Sequence, residues 1–174
     1  PLLESGTHTP IQAKFEVLLE TGRTSSSPNV QNLPTDIGVR ECFAPRPGWV
    51  YASADYSGFE LRTWAQVCIY LGIHSRMAEV LNAGLDPHLE MACNILHVRY
   101  EDAKVELATD PVGRIYKARQ ASKIASFGFP GGLGIDRFVE YARSNYGVVM
   151  TSEEAFKLKE YWLESWPEAY EYFQ

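Results

Sequence analysis

Cysteine and long apolar runs are both scarce in this sequence of 174 residues. Cys42, Cys68 and Cys93 are odd in number and lack the spacing of a metal site, so we expect reduced thiols packed in a core. No apolar run approaches the roughly 20 residues that cross a bilayer, and residues 1–20 lack a signal-peptide pattern. These absences favour a cytoplasmic protein without a membrane partner.

An excess of basic residues is also missing, since the net charge is −6. Nucleic-acid-binding proteins usually carry a basic footprint. The charge is uneven, however: residues 112–128 contain four basic side chains and no acid, whereas residues 153–171 contain six glutamates. The composition therefore lowers the expected affinity for a polyanion without excluding one.

Hydrophobic residues make up 45% of the chain, which is enough for a packed core. Their periodicity predicts an α/β (α+β) fold in which short strands precede helices. We predict strands at residues 10–20, 39–44 and 49–54, a loop at residues 21–38, and helices near residues 59–72, 74–83, 87–97, 101–108, 112–127, 135–146 and 152–163.

The strand predicted at residues 49–54 delivers Asp55 to its end, where a helical pattern begins at once. A carboxylate in such a turn, with backbone carbonyls nearby, suits a hard cation such as Mg²⁺. An N-cap aspartate on an amphipathic helix accounts equally well for the same residues.

A second group of candidate residues lies on the helix predicted at residues 112–127, with Asp110 as N-cap. Arg119, Lys123 and Phe127 are spaced i, i+4, i+8, so two cations and a ring share one face. An anionic ligand such as a triphosphate would suit this face. The alternative is a solvated basic face with Phe127 in the core. The following glycines lie at the wrong end for a phosphate loop and lack a Gly-Lys-Ser sequence, so we reject that interpretation.

Four segments together resemble the family A DNA polymerases. Residues 55–62 (DYSGFELR) resemble motif A of that family, and residues 119–128 (RQASKIASFG) resemble its motif B. Residues 21–34 resemble the primer–template contact segment, and residues 161–167 (YWLESWP) resemble the aromatic-proline element after the fingers. The four segments occur in the family's order and cover nearly the whole chain.

This resemblance implies a right-hand polymerase fold and a two-metal nucleotidyl transfer. Residues 1–73 would be a partial antiparallel palm sheet with the thumb junction, and residues 74–174 a helical fingers subdomain. The expected partners are primer–template DNA and deoxynucleoside triphosphates (dNTPs). The expected cofactor is a pair of Mg²⁺ ions, with Asp55 as one of two aspartate ligands and the carbonyl of Tyr56 as a further ligand.

The resemblance also assigns roles to individual residues. Asp55 and Lys123 are the expected catalytic residues. Contacts with the incoming dNTP are expected from Tyr56, Glu60, His88, Arg119, Lys123 and Phe127, with Glu60 closing the pocket against a ribose 2′-hydroxyl. Contacts with DNA are expected from Arg23, Gln31 and Asn32.

Some positions depart from the family pattern. Gly131 stands where most bacterial members carry a tyrosine, and Gly58 replaces a common glutamine, so we expect a bacteriophage-type member acting in a bacterial or phage-infected cytoplasm. No histidine is followed by Asp, so the family's His-Asp-Glu motif with the second metal aspartate is missing from this sequence. We therefore expect a fragment with little activity alone, which self-associates through an exposed sheet edge.

Two other functions fit the same residues. A single-subunit RNA polymerase shares the fold and the metal chemistry, although Glu60 and Phe127 count against it. A catalytically inactive nucleic-acid-binding module with a polymerase-like shape is the other alternative.

Overall fold

Most of the described chain is helical. The computed structural model describes residues 12–19, 24–33, 38–52 and 54–174. The chain divides into two compact units, Pro1–Ala54 and Asp55–Gln174. In the described residues, the first unit contains a two-stranded antiparallel sheet and the second contains eight α-helices. The predicted order of strands followed by helices is confirmed at this level, while the division at residue 73 stays a prediction.

The sheet of the first unit is formed by β1 (Lys14–Glu16) and β2 (Ser25–Ser27). They pair antiparallel, with Phe15 opposite Ser26. A short 3₁₀ helix follows at Arg40–Cys42. Its Cys42 thiol is exposed, which contradicts the expected core position.

Three strand predictions are wrong in extent or kind. Among the described residues of 10–20, only β1 is a strand, and the loop predicted at 21–38 contains β2. Residues 39–44 contain the 3₁₀ helix instead of a strand. The described residues of 49–54 form no strand. Hydrophobic alternation alone does not form a strand, because its backbone groups need a partner strand in register.

Seven of the eight helices in the second unit agree with the seven predicted helical segments. The helix predicted at residues 135–146 is observed with those bounds, and an additional short helix lies at the C-terminal end of the unit. The bounds are α1 Phe59–Tyr70, α2 Arg76–Asn82, α3 Pro87–Leu96, α4 Tyr100–Thr109, α5 Arg114–Gly128, α6 Ile135–Tyr146, α7 Ser152–Ser165 and α8 Glu168–Tyr172. None of the helices in the described ranges is long and apolar enough to span a bilayer.

The start of α5 differs from its prediction. Asp110 is not the N-cap: its Oδ1 accepts a hydrogen bond from the Val112 N–H at 3.3 Å, and the helix begins after Gly113. This short side-chain-to-backbone turn competes with helix formation, which is common for aspartate.

Aromatic rings are the largest side chains of the main core, in which helices α1, α2, α3, α5, α6, α7 and α8 meet. Trp162 on α7 is fully buried, and its ring centroid lies 5.7 Å from that of Trp64 and 5.6 Å from that of Phe129. Cys68 and Cys93 are buried as expected, and burial raises the pKa of each thiol to about 11. This core fixes α3 and α5 against the rest of the unit.

A buried carboxylate joins α8 to the start of α2. Oε1 of Glu168 accepts hydrogen bonds from the Ser75 hydroxyl at 2.9 Å and from the Met77 N–H at 2.8 Å. The hydroxyl of Ser75 in turn accepts from the Ala78 N–H at 3.1 Å, which caps α2. This oxygen satisfies an N–H of the first turn of α2 that has no partner within the helix, and it lies at the positive end of the helix dipole.

Gly128 at the end of α5 lets two helices approach closely. A Cβ at this position would lie 2.8 Å from Cδ2 of Phe138. The Phe138 ring cannot retreat, because it is fully buried and stacks on Phe129 at 4.1 Å. Replacing Gly128 by alanine is therefore expected to lower the free energy of unfolding by about 1–2 kcal/mol, despite the better helix propensity of alanine. Urea unfolding followed by circular dichroism measures this change.

The matched control is Gly131→Ala, three residues further on. An added Cβ there meets no atom within 4 Å and φ is not positive, so we expect a change within about 0.5 kcal/mol. Equal stabilities of the two variants would contradict the close approach at Gly128.

Candidate functional site

An ion pair between α3 and α5 lies at the centre of the candidate site. Nε and Nη2 of Arg119 each lie 2.7 Å from Oδ2 of Asp86. The two side chains are only 29% and 32% exposed, so the pair is partly shielded from solvent. Such charge-assisted bonds are stronger and more directional than ordinary ones.

The same aspartate caps helix α3. Oδ1 of Asp86 accepts from the N–H groups of His88 at 2.9 Å and Leu89 at 3.3 Å. Pro87 occupies the first helical turn, where its missing N–H costs nothing. The Asp86 N–H donates to the Tyr100 hydroxyl at 2.9 Å. The position of His88 is therefore set by a fully bonded helix start.

His88 is held beside Phe127 of α5, with the ring centroids 5.8 Å apart. Burial lowers the pKa of His88 to about 4; the charge of Asp86 opposes this shift, and those of Arg119 and Lys123 add to it. Nδ1 of His88 is buried and has no hydrogen-bond partner among the described residues. A pKa near 4 leaves the imidazole neutral at pH 7 in the ligand-free protein.

The unfolding free energy is expected to decrease as the pH falls from 6.5 to 4. The reason is that the pKa of His88 is 6.5 in the unfolded chain and about 4 in the folded protein, so protonation in this range favours unfolding. The His88-dependent loss is on the order of 2–3 kcal/mol. Urea unfolding at several pH values, compared with His88→Gln to subtract the other groups, measures it. A ¹⁵N NMR midpoint for His88 above 6 would contradict the prediction.

The two remaining motif B residues lie on successive turns of α5. Lys123 is exposed and Phe127 is half-buried, so the face that carries them is neither fully solvated nor fully core. Arg119, Lys123, Phe127 and His88 thus lie together as two cations, a neutral imidazole and an aromatic ring.

A cavity of about 350 Å³ connects Arg119 and His88 to the turn before α1. Ser57 and Gly58 of this turn line the cavity. Asp86 lines it together with Arg119 and His88. Gly58 has φ of 60°, a left-handed conformation that favours glycine, and it precedes the first residue of α1. The cavity is open to solvent, and the cationic side chains of Arg62 and Arg119 are among the residues that line it.

Asp55 and Tyr56 lie immediately before this turn and are exposed. None of the described residues hydrogen-bonds to the Asp55 carboxylate. A carboxylate and a backbone carbonyl are the hard oxygen donors that Mg²⁺ prefers. No group of three or more Asp, Glu, His or Cys side chains in the described ranges forms a metal-ligand cluster. Asp55 therefore suits Mg²⁺ in donor chemistry but supplies only part of a coordination shell. Glu60 is exposed in the first turn of α1.

The predicted DNA-contacting residues belong to the first unit. Arg23 lies outside the described residues. Nε2 of Gln31 donates to Oγ1 of Thr24 at 2.9 Å, and the N–H of Asn32 donates to Oδ1 of Asn29 at 3.2 Å. Both side chains are exposed in a polar loop.

Sequence reasoning missed Asp86. An Asp-Pro pair before an apolar run signals a helix start, which accounts for the cap. Its pairing with Arg119, 33 residues away, has no local signal. The structure thus adds the acidic residue Asp86 to a candidate site that already contains Arg119 and His88.

Fold and site together define a mostly helical domain with a cationic cavity suited to an anionic ligand. The model of DNA polymerase family A matches residues 4–174, and the chain belongs to this family.

Curated relatives are DNA polymerases I of bacteria. The chain is 30% identical to that of Geobacillus stearothermophilus over 167 residues, which cover 90% of this chain and 16% of the relative. It is 34% identical to that of Chloroflexus aurantiacus, over 67% of this chain and 12% of the relative. The relative from Aquifex aeolicus is 32% identical, over 80% of this chain and 22% of its own length. The chain thus spans less than a quarter of these relatives.

Proposed function

We propose that the full-length protein performs template-directed DNA synthesis, in which a nucleotide is transferred from a dNTP to a primer 3′-hydroxyl. The observation that carries this proposal is the cavity that joins the turn after Asp55 to Arg119 and His88. The primer oxygen forms a bond to the α-phosphorus, and the bond to the pyrophosphate oxygen breaks. Within this proposal, residues 1–73 belong to the palm and residues 74–174 to the fingers.

The cationic residues of α5 act on the triphosphate. Arg119 and Lys123 neutralise negative charge on the phosphates, including the charge that develops on the departing pyrophosphate. His88 donates an N–H to a phosphate oxygen. Phe127 packs against the sugar and base, and Glu60 excludes a ribose 2′-hydroxyl.

Asp55 and the Tyr56 carbonyl are the proposed Mg²⁺ ligands on this chain. Bound Mg²⁺ supplies charge stabilisation for the attacking and leaving oxygens. The exposed, unbonded carboxylate of Asp55 is ready for this role. In the first unit, Arg23, Gln31 and Asn32 contact the primer–template, and such contacts position the duplex without reading its sequence. That the chain is inactive alone, self-associates through its sheet edge and is of bacteriophage type stays a prediction.

Arg119→Ala tests the nucleotide site. In the full-length protein we expect the KM for dATP in primer extension to rise about 10- to 100-fold, because one or two charge-assisted contacts are lost. Steady-state single-nucleotide extension measures it.

The matched control is Arg114→Ala on the same helix. Arg114 is exposed, and it forms two 2.8 Å bonds to the carboxylate oxygens of Glu106 away from the cavity. The KM of the Arg114→Ala variant for dATP should stay within about twofold of that of the unaltered protein. The proposed site fails if the two variants have the same KM.

A further inference from the structure

The carboxylate of Asp86 is shared between two structural tasks. Oδ1 accepts the two backbone N–H groups that start α3, and Oδ2 accepts the Nε–H of Arg119 and lies 2.7 Å from its Nη2. Both oxygens are therefore used, and each one is directed at a different helix. One side chain thereby sets the position of α3 relative to the guanidinium on α5.

Arg119 keeps donors for a ligand while it is held in this way. A guanidinium carries five N–H donors in a rigid plane, and Asp86 accepts the one on Nε while its Oδ2 lies 2.7 Å from Nη2. Asp86 therefore leaves other donors of Arg119 for a ligand at the cavity that this residue lines. Because the guanidinium is already oriented, a phosphate that binds there loses less side-chain freedom than it would with a mobile arginine.

The negative charge of Asp86 is largely compensated in place. Two N–H groups, the positive end of α3 and the Arg119 guanidinium all face the carboxylate. A phosphate in the cavity is therefore attracted by the oriented Arg119 guanidinium more strongly than it is repelled by the Asp86 carboxylate.

We propose that Asp86 is a positioning residue for the triphosphate, which holds Arg119 at the cavity and places His88 beside it through the cap of α3. This inference rests on the proposed function, since it assumes that the cavity receives a dNTP. It adds an acidic residue to a site otherwise assigned to cations and aromatic rings.

Asp86→Asn separates the two tasks of the carboxylate. Asparagine caps helices about as well as aspartate, so its oxygen can keep the bonds to the His88 and Leu89 N–H groups. Its Nδ2 then replaces Oδ2 and meets Arg119 donor to donor, which removes the pair. The helix start is kept while the orientation of Arg119 is lost.

Glu90→Gln is the matched control. Glu90 lies on the same helix and accepts from Nη2 of Arg76 at 2.8 Å, so this change also removes one charge and weakens one ion pair. It does not touch Arg119. A general effect of charge or helix stability would therefore appear in both variants.

Single-nucleotide primer extension with dATP, in the full-length protein, tests the proposal. We expect Asp86→Asn to raise KM about 5- to 10-fold with kcat within threefold, and Glu90→Gln to stay within twofold. Added to Arg119→Ala, Asp86→Asn should raise KM by less than twofold more, because its effect passes through Arg119.

Four outcomes overturn the inference. An Asp86→Asn enzyme with unchanged or lower KM, or one whose effect multiplies fully with that of Arg119→Ala, removes the positioning role while the nucleotide site stands. If Arg119→Ala itself leaves KM unchanged, the proposed nucleotide site fails and the inference fails with it. The ¹⁵N signal of Arg119 Nε in the 174-residue chain checks the pair without any nucleotide: loss of its protection from exchange in Asp86→Asn is expected, and no change would contradict the pair.

Discussion

Replacing Asp55 by asparagine in the full-length protein is expected to reduce the kcat of primer extension at least about 1000-fold. Metal ions stabilise the charge of such a transition state by several kcal/mol, and each 1.36 kcal/mol corresponds to a factor of ten. An amide oxygen binds Mg²⁺ more weakly than a carboxylate. Rapid-quench primer extension measures the rate of the chemical step. The melting temperature should not change, because Asp55 is exposed and none of the described residues bonds to its carboxylate.

The control is Asp102→Asn, which removes the charge of another exposed acid, in the first turn of α4. This variant should retain nearly full activity, and both variants should have the KM for dATP of the unaltered protein within a few-fold. Retention of more than a tenth of the kcat by Asp55→Asn would exclude Asp55 as a metal ligand.

The largest loss of stability is expected for Trp162→Ala. The indole is fully buried against three other rings, with Phe173 as the third at 6.5 Å. Truncation of a buried tryptophan to alanine usually costs about 3–5 kcal/mol, from lost burial and the remaining cavity. That is a large part of the 5–15 kcal/mol typical of a whole domain. The midpoint of urea unfolding of the 174-residue chain should fall accordingly.

Two further variants make this prediction specific. Trp162→Phe keeps a ring in the cluster and removes an indole N–H that has no partner in the described part of the chain, so the loss should be less than half as large. Phe156→Ala on the same helix removes a ring that is 54% exposed and should cost under about 1 kcal/mol. Equal losses for Trp162→Ala and Phe156→Ala would show that the core is not packed around Trp162.

The helices could be predicted from the sequence because their signals are local. Thr151 and Glu154 form a reciprocal capping box at the start of α7, and Gly147 has the left-handed conformation that ends α6. Strands could not be predicted in the same way. Residues 49–54 alternate like a strand, yet Trp49 and Val50 are 73% and 86% exposed, and no described strand pairs with them.

The candidate site likewise contains residues that local sequence signals predict and residues that only tertiary packing brings together. The i, i+4, i+8 spacing places Arg119, Lys123 and Phe127 on successive turns of one helix, and this spacing can be read from the sequence. The approach of α3 that brings Asp86 and His88 to this helix depends on the packed core, and no short motif encodes it. Local periodicity therefore predicts the cations but not the acid that holds one of them.

The bonds to Glu168 also determine when this unit can finish folding in the cell. Its partners Ser75 and Met77 precede it by 93 and 91 residues. At 5–20 residues per second, a ribosome needs about 5–20 s to add that length of chain. During this interval the apolar faces of α1 and α2 have left the ribosome without the last two helices that bury them. We therefore expect Trp64, which packs against Trp162 and Tyr172, to stay exposed on the nascent chain until α8 emerges, and a pause in translation before residue 168 to prolong that exposure.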